Sequence, residues 1–142
     1  MEDKMTKEVS VIIEGYQADS NEEPVIIRAP GTYHLHKDRH YISYEEPLGE
    51  GEGVIRSRIR LDTARVEMTR SGAACARMSF EESRNTEAVY QTPYGELRFE
   101  IRTSRITIGE VRDRLEAGLE YSLFSNGTCV SRHRTVIKVV PQ

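Results

Sequence analysis

Residues 54–70 read VIRSRIRLDTARVEMTR, and this stretch decides the fold. Apolar and polar residues alternate on both sides of its centre, as they do in β-strands that bury one face. The same alternation runs through nearly the whole chain and is interrupted by turn signals about every eight to twelve residues. This pattern predicts an all-β protein whose antiparallel sheet closes into a single barrel, with very little helix.

The register within this stretch follows from its alternation, because a slip of one residue would place apolar side chains opposite polar ones. A loop at residues 62–63 places Ile59 opposite Val66 on the inner face. On the outer face the same register places Arg58 opposite Glu67, which is a favourable cross-strand ion pair. We therefore expect a hairpin with one apolar face and one charged face.

A second hairpin is predicted by residues 32–46, TYHLHKDRHYISYEE. A two-residue loop at residues 38–39 pairs Leu35 with Ile42 on the inner face. The alternation again excludes a slip of one residue, since that slip would bring polar side chains into the ladder of apolar pairs.

Three histidines of this hairpin, His34, His36 and His40, look like metal ligands, since His-x-His on a strand turns two imidazoles to one side. The predicted register sends His40 to the opposite face, so the three side chains cannot converge. We therefore expect solvated histidines here, no bound metal and no other cofactor.

Two turns near the middle and the end of the chain have clear signals. Asn and Gly at residues 126–127 indicate a type I′ turn, which pairs Leu123 with Val130. Pro93 suits the second position of a turn, and Gly95 suits the fourth. Both segments are therefore expected to form hairpins.

The phase of the last strand stays open at this point. The preceding turn predicts that Val130, an even-numbered residue, faces inward, whereas the apolar pattern around Ile137 predicts that the odd-numbered residues face inward. Either a bulge lies near His133, or Arg132 and Arg134 face the lumen.

Composition limits the class of protein. The chain has 142 residues and a formal net charge of −3, and we predict one domain over residues 1–142 with a flexible tail at residues 1–6. This charge gives no field that attracts nucleic acid or an anionic membrane, and no apolar run approaches the length of about 20 residues that spans a bilayer. The N-terminal residues lack the apolar stretch of a signal peptide, which favours a cytoplasmic protein. Cys75 and Cys129 are then expected to be thiols.

Arg70 stands out because it continues the phase of Val66 and Met68 onto the inner face, opposite Ile55. A buried guanidinium is costly unless it is paired or hydrogen-bonded. It either anchors the carboxylate or phosphate of a ligand, or hydrogen-bonds backbone carbonyls near the barrel end and packs on a tyrosine. The tyrosines expected to share the interior with it are Tyr33, Tyr44, Tyr90 and Tyr121.

Several sequence elements occur in an order that resembles one known family. They are YISYEE (41–46), RSG (70–72), RMSF (77–80), YQTPYG (90–95) and the late LEYSL…NG hairpin. Over roughly residues 7–140 the chain resembles the YwiB-like family, uncharacterised bacterial proteins with a calycin-like, lipocalin-like β-barrel. The resemblance implies an antiparallel barrel of about eight to ten strands and no established activity. The polar residues that match the family pattern are Tyr44, Glu45, Arg70, Tyr90, Thr92 and Tyr94.

Small barrels of this kind either hold one small ligand or are filled by their own side chains. We predict a non-enzymatic module, without catalytic residues, that binds a small apolar or amphipathic molecule in the lumen beside Arg70 and the tyrosines. The alternative is a filled barrel that acts through its outer surface, as a homodimer or by binding a partner. A continuous lumen lined by Tyr44, Arg70 and Tyr90 favours the first hypothesis, and a packed lumen favours the second.

Overall fold

The computed structural model describes residues 6–18 and 21–142. Within these residues the chain forms ten β-strands. The strands are β1 (Lys7–Gln17), β2 (Val25–His36), β3 (Arg39–Pro47), β4 (Val54–Leu61), β5 (Val66–Gly72), β6 (Cys75–Phe80), β7 (Asn85–Thr92), β8 (Gly95–Val111), β9 (Arg114–Ser125) and β10 (Thr128–Pro141). Within these ranges there is no helix, and so none long and apolar enough to cross a membrane. Of the predicted N-terminal tail, residues 1–5 lie outside the described residues, and Thr6 directly precedes β1.

The strands close into an antiparallel barrel. Each strand pairs with its neighbours in the sequence, and β1 pairs with β10 to complete the ring. At this seam Val9 lies opposite Pro141, and Lys138 Nζ donates a hydrogen bond to Glu14 Oε2 at 3.1 Å. The prediction of an all-β closed barrel is confirmed.

A layer of apolar side chains fills the middle of the barrel. The largest of those that are less than 2% exposed are Phe80, Ile42, Ile59, Leu61, Ile101, Leu119, Ile137, Val11 and Val66. Phe80 also packs edge-on against Tyr121, with ring centroids 4.8 Å apart. The lumen is therefore not continuous, and the two cavities described below share no residue. The filled centre fits the surface-acting alternative, whereas the cavities at the two ends leave room for a small ligand.

The two ends of the barrel carry different connections. The β1–β2, β3–β4, β5–β6, β7–β8 and β9–β10 connections lie at the end that we call the Arg70 end, because Arg70 lies close to the end of β5. The remaining hairpin turns lie at the opposite end, which we call the Tyr33 end after the tyrosine near the end of β2.

The predicted register of the β2–β3 hairpin is wrong by two residues. The turn residues are Lys37 and Asp38, with φ angles of 52° and 64°, so that Leu35 lies opposite His40 and not opposite Ile42. Two consecutive residues with positive φ form the type I′ turn that matches the twist of a hairpin. Because the side-chain period of a strand is two, each residue still lies on its predicted face.

The β4–β5 hairpin is also shifted by two residues, but in the opposite direction and for a different reason. Its loop has four residues, 62–65, because the Asp62 carboxylate accepts hydrogen bonds from two backbone N–H groups of the loop at 2.9 and 2.8 Å. Such an Asx-type turn competes with a tight two-residue turn. Ile59 therefore lies opposite Met68, and the predicted pairing with Val66 is wrong.

The shift also changes which arginine pairs with Glu67. Arg60 lies opposite Glu67 and forms the ion pair with it. Arg58, which was predicted in that place, lies opposite Thr69 on the outer face. The charged outer face of the hairpin is retained with a different partner.

A bulge at Val130 settles the phase of the last strand. The predicted Asn-Gly turn is confirmed, with φ angles of 51° and 81° at residues 126 and 127. The register then shifts, so that Leu123 lies opposite Ser131 instead of Val130, whose side chain is 56% exposed. A bulge was one of the two predicted alternatives, and it occurs before His133 rather than at it.

Beyond this bulge the odd-numbered residues of β10 face inward, as its isoleucine and valine residues indicate. Thr135 and Ile137 are buried, whereas Arg132 and Arg134 are exposed on the outer face. The Arg134 guanidinium lies over the Tyr16 ring, 4.4 Å from its centroid. The alternative that placed both arginines in the lumen is therefore wrong.

Two smaller predictions are confirmed. Thr92 pairs with Gly95, so Pro93 occupies the second position of the β7–β8 turn and Gly95 the fourth. Cys75 and Cys129 are free thiols, and both are exposed.

Candidate functional site

A row of inner-face residues crosses the barrel wall near the Arg70 end. Successive cross-strand partners on β3 to β7 form this row: Tyr44, Ser57, Arg70, Ala76 and Tyr90. Directly opposed residues share a face of the sheet, and Tyr44 and Ser57 are only 3% and 4% exposed in the interior. The inner-face position of Arg70 is therefore confirmed, although its neighbour on β4 is Ser57 and not the predicted Ile55.

A cavity of about 220 Å³ lies at this end, and we call it the Arg70 cavity. Much of its wall is apolar, with side chains that include Ile13, Ile27, Met68 and Met78. Its polar lining consists of Arg70, Tyr90, Tyr121 and Thr135. Among the residues that the structure describes, Arg70 supplies the one charge of this lining.

The Arg70 side chain is exposed at the mouth of this cavity. Among residues 6–18 and 21–142 it has no ion pair or hydrogen bond. The expectation of a buried guanidinium is therefore wrong, because water reaches the charge. An arginine in this state keeps its fork of N–H donors available to a carboxylate or phosphate.

Three tyrosines lie within range of the Arg70 charge. Burial raises the pKa of Tyr44, Tyr90 and Tyr121, and the positive charge of Arg70 opposes that rise in each. The three phenols consequently stay protonated at neutral pH and keep an O–H donor. Tyr90 directs its hydroxyl towards the sulfur of Met78 at 3.6 Å, which is a weak contact that a better acceptor can replace.

Tyr33 does not lie with the other three tyrosines. Its hydroxyl is hydrogen-bonded to His40 Nδ1 at 2.8 Å, and it lines a separate cavity of about 540 Å³ that we call the Tyr33 cavity. Glu110 lies on the same inner wall, opposite Leu115. Burial raises the pKa of Tyr33 and lowers the pKa of His40, whereas the charge of Glu110 raises both.

The inner-face position of Glu110 could not be predicted from the sequence, because a bulge in β8 reverses which residues face inward. Odd-numbered residues such as Ile101 and Thr103 face inward, and the register then shifts before Arg105. From that point the even-numbered residues face inward. The isoleucines at positions 106 and 108 are the signal in the sequence that carries this change.

Comparison with known proteins places this barrel in a family. A family model described as a domain of unknown function, DUF1934, matches residues 11–137. The chain belongs to this family. The resemblance to the YwiB-like family is confirmed, and the description of the DUF1934 family gives it no activity.

A curated relative and a solved structure agree with this assignment. The chain is 29% identical over 105 residues to a Bacillus subtilis (strain 168) protein described as "Uncharacterized beta-barrel protein YwiB", an alignment that covers 74% of this chain and 70% of the relative. The crystal structure of the ywiB protein from Bacillus subtilis superposes with a TM-score of 0.81 at 20% identity, covering 96% of this chain and 93% of that one. This likeness shows that the two proteins share a fold.

The histidines of the β2–β3 hairpin of this DUF1934 barrel lie on two faces, as predicted. His34 stacks on Tyr41 on the outer face, with ring centroids 4.8 Å apart. All three histidines are half-buried, and His40 is also on the inner face and hydrogen-bonded to Tyr33, so the expectation of a solvated histidine is wrong at that position. In the part of the chain that the structure describes, no three metal-ligating side chains converge, and the absence of a bound metal remains a prediction.

We expect the protein to lose stability in mild acid because of two histidines on the inner face. Burial lowers the pKa of His40 and of His133 below 6.5, so the unfolded chain binds more protons than the folded one just below that pH. The free energy of unfolding therefore falls as the pH falls through this window. The pKa values of Glu14 and Glu96 lie below 4.5, outside the window.

Urea unfolding at about pH 7.5 and about pH 5.5 measures this loss. A variant with His40→Gln and His133→Gln should lose less stability between the two conditions than the native protein does. An equal loss in both proteins would assign the pH dependence to other groups.

Proposed function

We propose that this protein is a non-enzymatic module that binds a small amphipathic anion in the Arg70 cavity. The observation that carries the proposal is an arginine that has no hydrogen bond or ion pair within the described part of the chain and lies at the mouth of a largely apolar cavity. An apolar ligand body lies against Met68 and Met78, whose thioether side chains adapt to irregular shapes. Its carboxylate or phosphate lies against Arg70.

The volume of the cavity limits the size of the ligand. Apolar cavities of about 150 Å³ hold benzene, and pockets for drug-sized ligands measure about 300–1,000 Å³. The Arg70 cavity, at about 220 Å³, lies between these values. The buried part of the ligand is therefore a single aromatic ring or a short acyl chain, and a long fatty acid would project from the mouth.

Protonated phenols favour binding over chemistry at this site. A phenol whose pKa is raised by burial donates a hydrogen bond at neutral pH and is a poor base. Tyr90 and Tyr121, both in the lining, thus supply orienting donors. The site binds an anion through neutral donors and a single fixed positive charge.

Replacement of Arg70 tests the proposal directly. In Arg70→Met the free energy of unfolding of the empty protein should change by less than about 0.5 kcal/mol, because an exposed and unpaired side chain is lost. Benzoate, hexanoate and phenyl phosphate serve as probes in thermal unfolding and calorimetry. At least one should stabilise the native protein, and none should stabilise Arg70→Met.

Arg58 supplies the matched control, because it is an exposed arginine on the outer face of the neighbouring strand. Arg58→Met should leave both stability and probe binding unchanged. Equal stabilisation of the native protein and Arg70→Met by every probe that binds would rule out the arginine as the anchor. A cost of several kcal/mol in the empty Arg70→Met protein would instead assign the residue a structural role.

A second candidate function is supported by the distribution of exposed apolar residues. Within the described ranges, most of the large apolar side chains that are exposed lie near Arg70-end connections: Val25, Ile26, Leu48, Tyr94, Leu97 and Val130. An apolar rim of this kind marks surfaces that bind another protein molecule. Light scattering of the native protein and of a Tyr94→Ser, Leu97→Ser variant tests whether the rim forms a homodimer.

A further inference from the structure

The larger of the two lumen cavities lies at the Tyr33 end. Its volume of about 540 Å³ falls within the range of about 300–1,000 Å³ that small-molecule sites occupy. The apolar layer in the middle of the barrel separates it from the Arg70 cavity. We propose that the Tyr33 cavity is a second ligand site, which binds a small zwitterion with an apolar body.

Buried apolar side chains form one part of the Tyr33 cavity lining. Val9, Leu115 and Val139 line it at 4%, 5% and 4% exposure, and Leu35 adds a half-buried side chain. A hydrocarbon or aromatic ligand body is removed from water against these side chains. The ring of Tyr33 offers a further flat surface for it.

One positive and one negative side chain, both exposed, line this cavity from the inner face. Lys7 lies opposite Tyr33 on the neighbouring strand, and Glu110 lies opposite Leu115. In the described part of the chain neither Lys7 nor Glu110 forms an ion pair or a hydrogen bond. Unlike charges that line one cavity without contacting each other can be bridged by a ligand with an ammonium group and a carboxylate group.

The other charged residues of the lining are placed differently. Glu8 and Arg114 have the outward phase of their strands, and Arg114 pairs with Glu116 at 3.0 Å. Arg112 and Asp113 form the β8–β9 turn outside the lumen. Among the residues that the structure describes, the inward-facing strand positions of the lining thus carry one charge of each sign, and the β8–β9 turn adds Arg112 and Asp113.

Tyr33, which lines the cavity, is hydrogen-bonded to His40, and the charge of Glu110 reaches both side chains. The two rings lie 5.9 Å apart at an angle of 24°. The imidazole of His40 is also reached by the charge of Asp38 in the adjoining turn. A ligand ammonium group beside Glu110 would offset the carboxylate charge that His40 senses, which makes the imidazole resonances of His40 a local reporter of binding.

Three related probes test the requirement for both charges: L-phenylalanine, phenethylamine and 3-phenylpropionate. They share one apolar body and carry both charges, the positive charge only and the negative charge only. The measurements use protein that carries Arg70→Met, so that the anion probe cannot bind in the Arg70 cavity, and the variants below are made in the same background. Calorimetry should then show that L-phenylalanine binds about tenfold more tightly than either other probe, since each lost ionic contact weakens binding by at least that factor. Its binding should also shift the His40 resonances in NMR spectra.

Removing either charged side chain should remove the preference for L-phenylalanine over one of the two other probes. In Glu110→Gln the affinities for L-phenylalanine and 3-phenylpropionate should become equal, and in Lys7→Met those for L-phenylalanine and phenethylamine should become equal. Arg70→Met should leave L-phenylalanine binding unchanged, which separates this site from the Arg70 cavity.

The contrary results are equally distinct. Failure of L-phenylalanine to bind at millimolar concentration, or equal binding of all three probes, would overturn the zwitterion site. Loss of L-phenylalanine binding in Arg70→Met would place the ligand at the other end. The anion site of the Arg70 cavity would remain standing in the first two cases, because benzoate and phenyl phosphate test it separately.

Discussion

Phe80→Ala should lower the free energy of unfolding by about 3–5 kcal/mol, the usual cost of removing a buried phenylalanine ring. Phe80 is 0% exposed in the central layer, and its edge contact with Tyr121 is lost together with the ring. Since small domains have a total stability of about 5–15 kcal/mol, the variant should be close to unfolding at physiological temperature. Urea unfolding followed by circular dichroism measures the change.

A fully exposed aromatic residue provides the control for this prediction. Tyr94 is 99% exposed in the β7–β8 turn, and Tyr94→Ala should change stability by less than about 0.5 kcal/mol. Similar losses in the two variants would show that the central layer is not packed as the structure has it.

Gly31→Ala should cost about 1–3 kcal/mol, because the added methyl group has no room. Gly31 lies opposite Tyr44, and a Cβ there would meet the carbonyl oxygen of Ser43 and lie 2.9 Å from Cγ2 of Val11. Backbone atoms on one side and a fully buried valine on the other cannot move aside easily. The packing of Tyr44 beside Arg70 should be disturbed as well.

Gly109→Ala is the matched control in another strand of the same barrel. A Cβ at Gly109 meets nothing within 4 Å, so alanine should be neutral or stabilise the protein by up to about 1 kcal/mol through the unfolded chain. Thermal unfolding of the two variants should give shifts of opposite sign or clearly different size. A Gly31→Ala protein as stable as Gly109→Ala would contradict the close approach of β2 and β3.

The faces of the strands could be predicted from the sequence, because alternation with a period of two is a local property. Arg70, Tyr44 and Tyr90 were placed on the inner face correctly, even where the predicted register was wrong. The registers depend on turn geometry, and the side-chain hydrogen bonds of Asp62 lengthened one loop in a way that the pattern of apolar residues does not record.

It was harder to predict which inner-face residues lie close together, because that depends on the position of each residue along the barrel axis. Tyr33 shares the inner face with Tyr121 but lies at the other end of the lumen. The position along the axis follows from the tilt and stagger of all ten strands, which no single hairpin specifies. Bulges at Val130 and before Arg105 add further shifts that only strand pairing reveals.

The pairing of β1 with β10 has a consequence for how the chain reaches its native state. Residues more than 120 positions apart, such as Glu14 and Lys138, must meet before the ring is complete. During synthesis β10 is the last of the ten strands to leave the ribosome, and until then β1 and β9 each expose an unpaired row of backbone N–H and C=O groups. Two nascent chains can therefore pair through these exposed strand edges, and this risk ends only when β10 pairs with both β1 and β9.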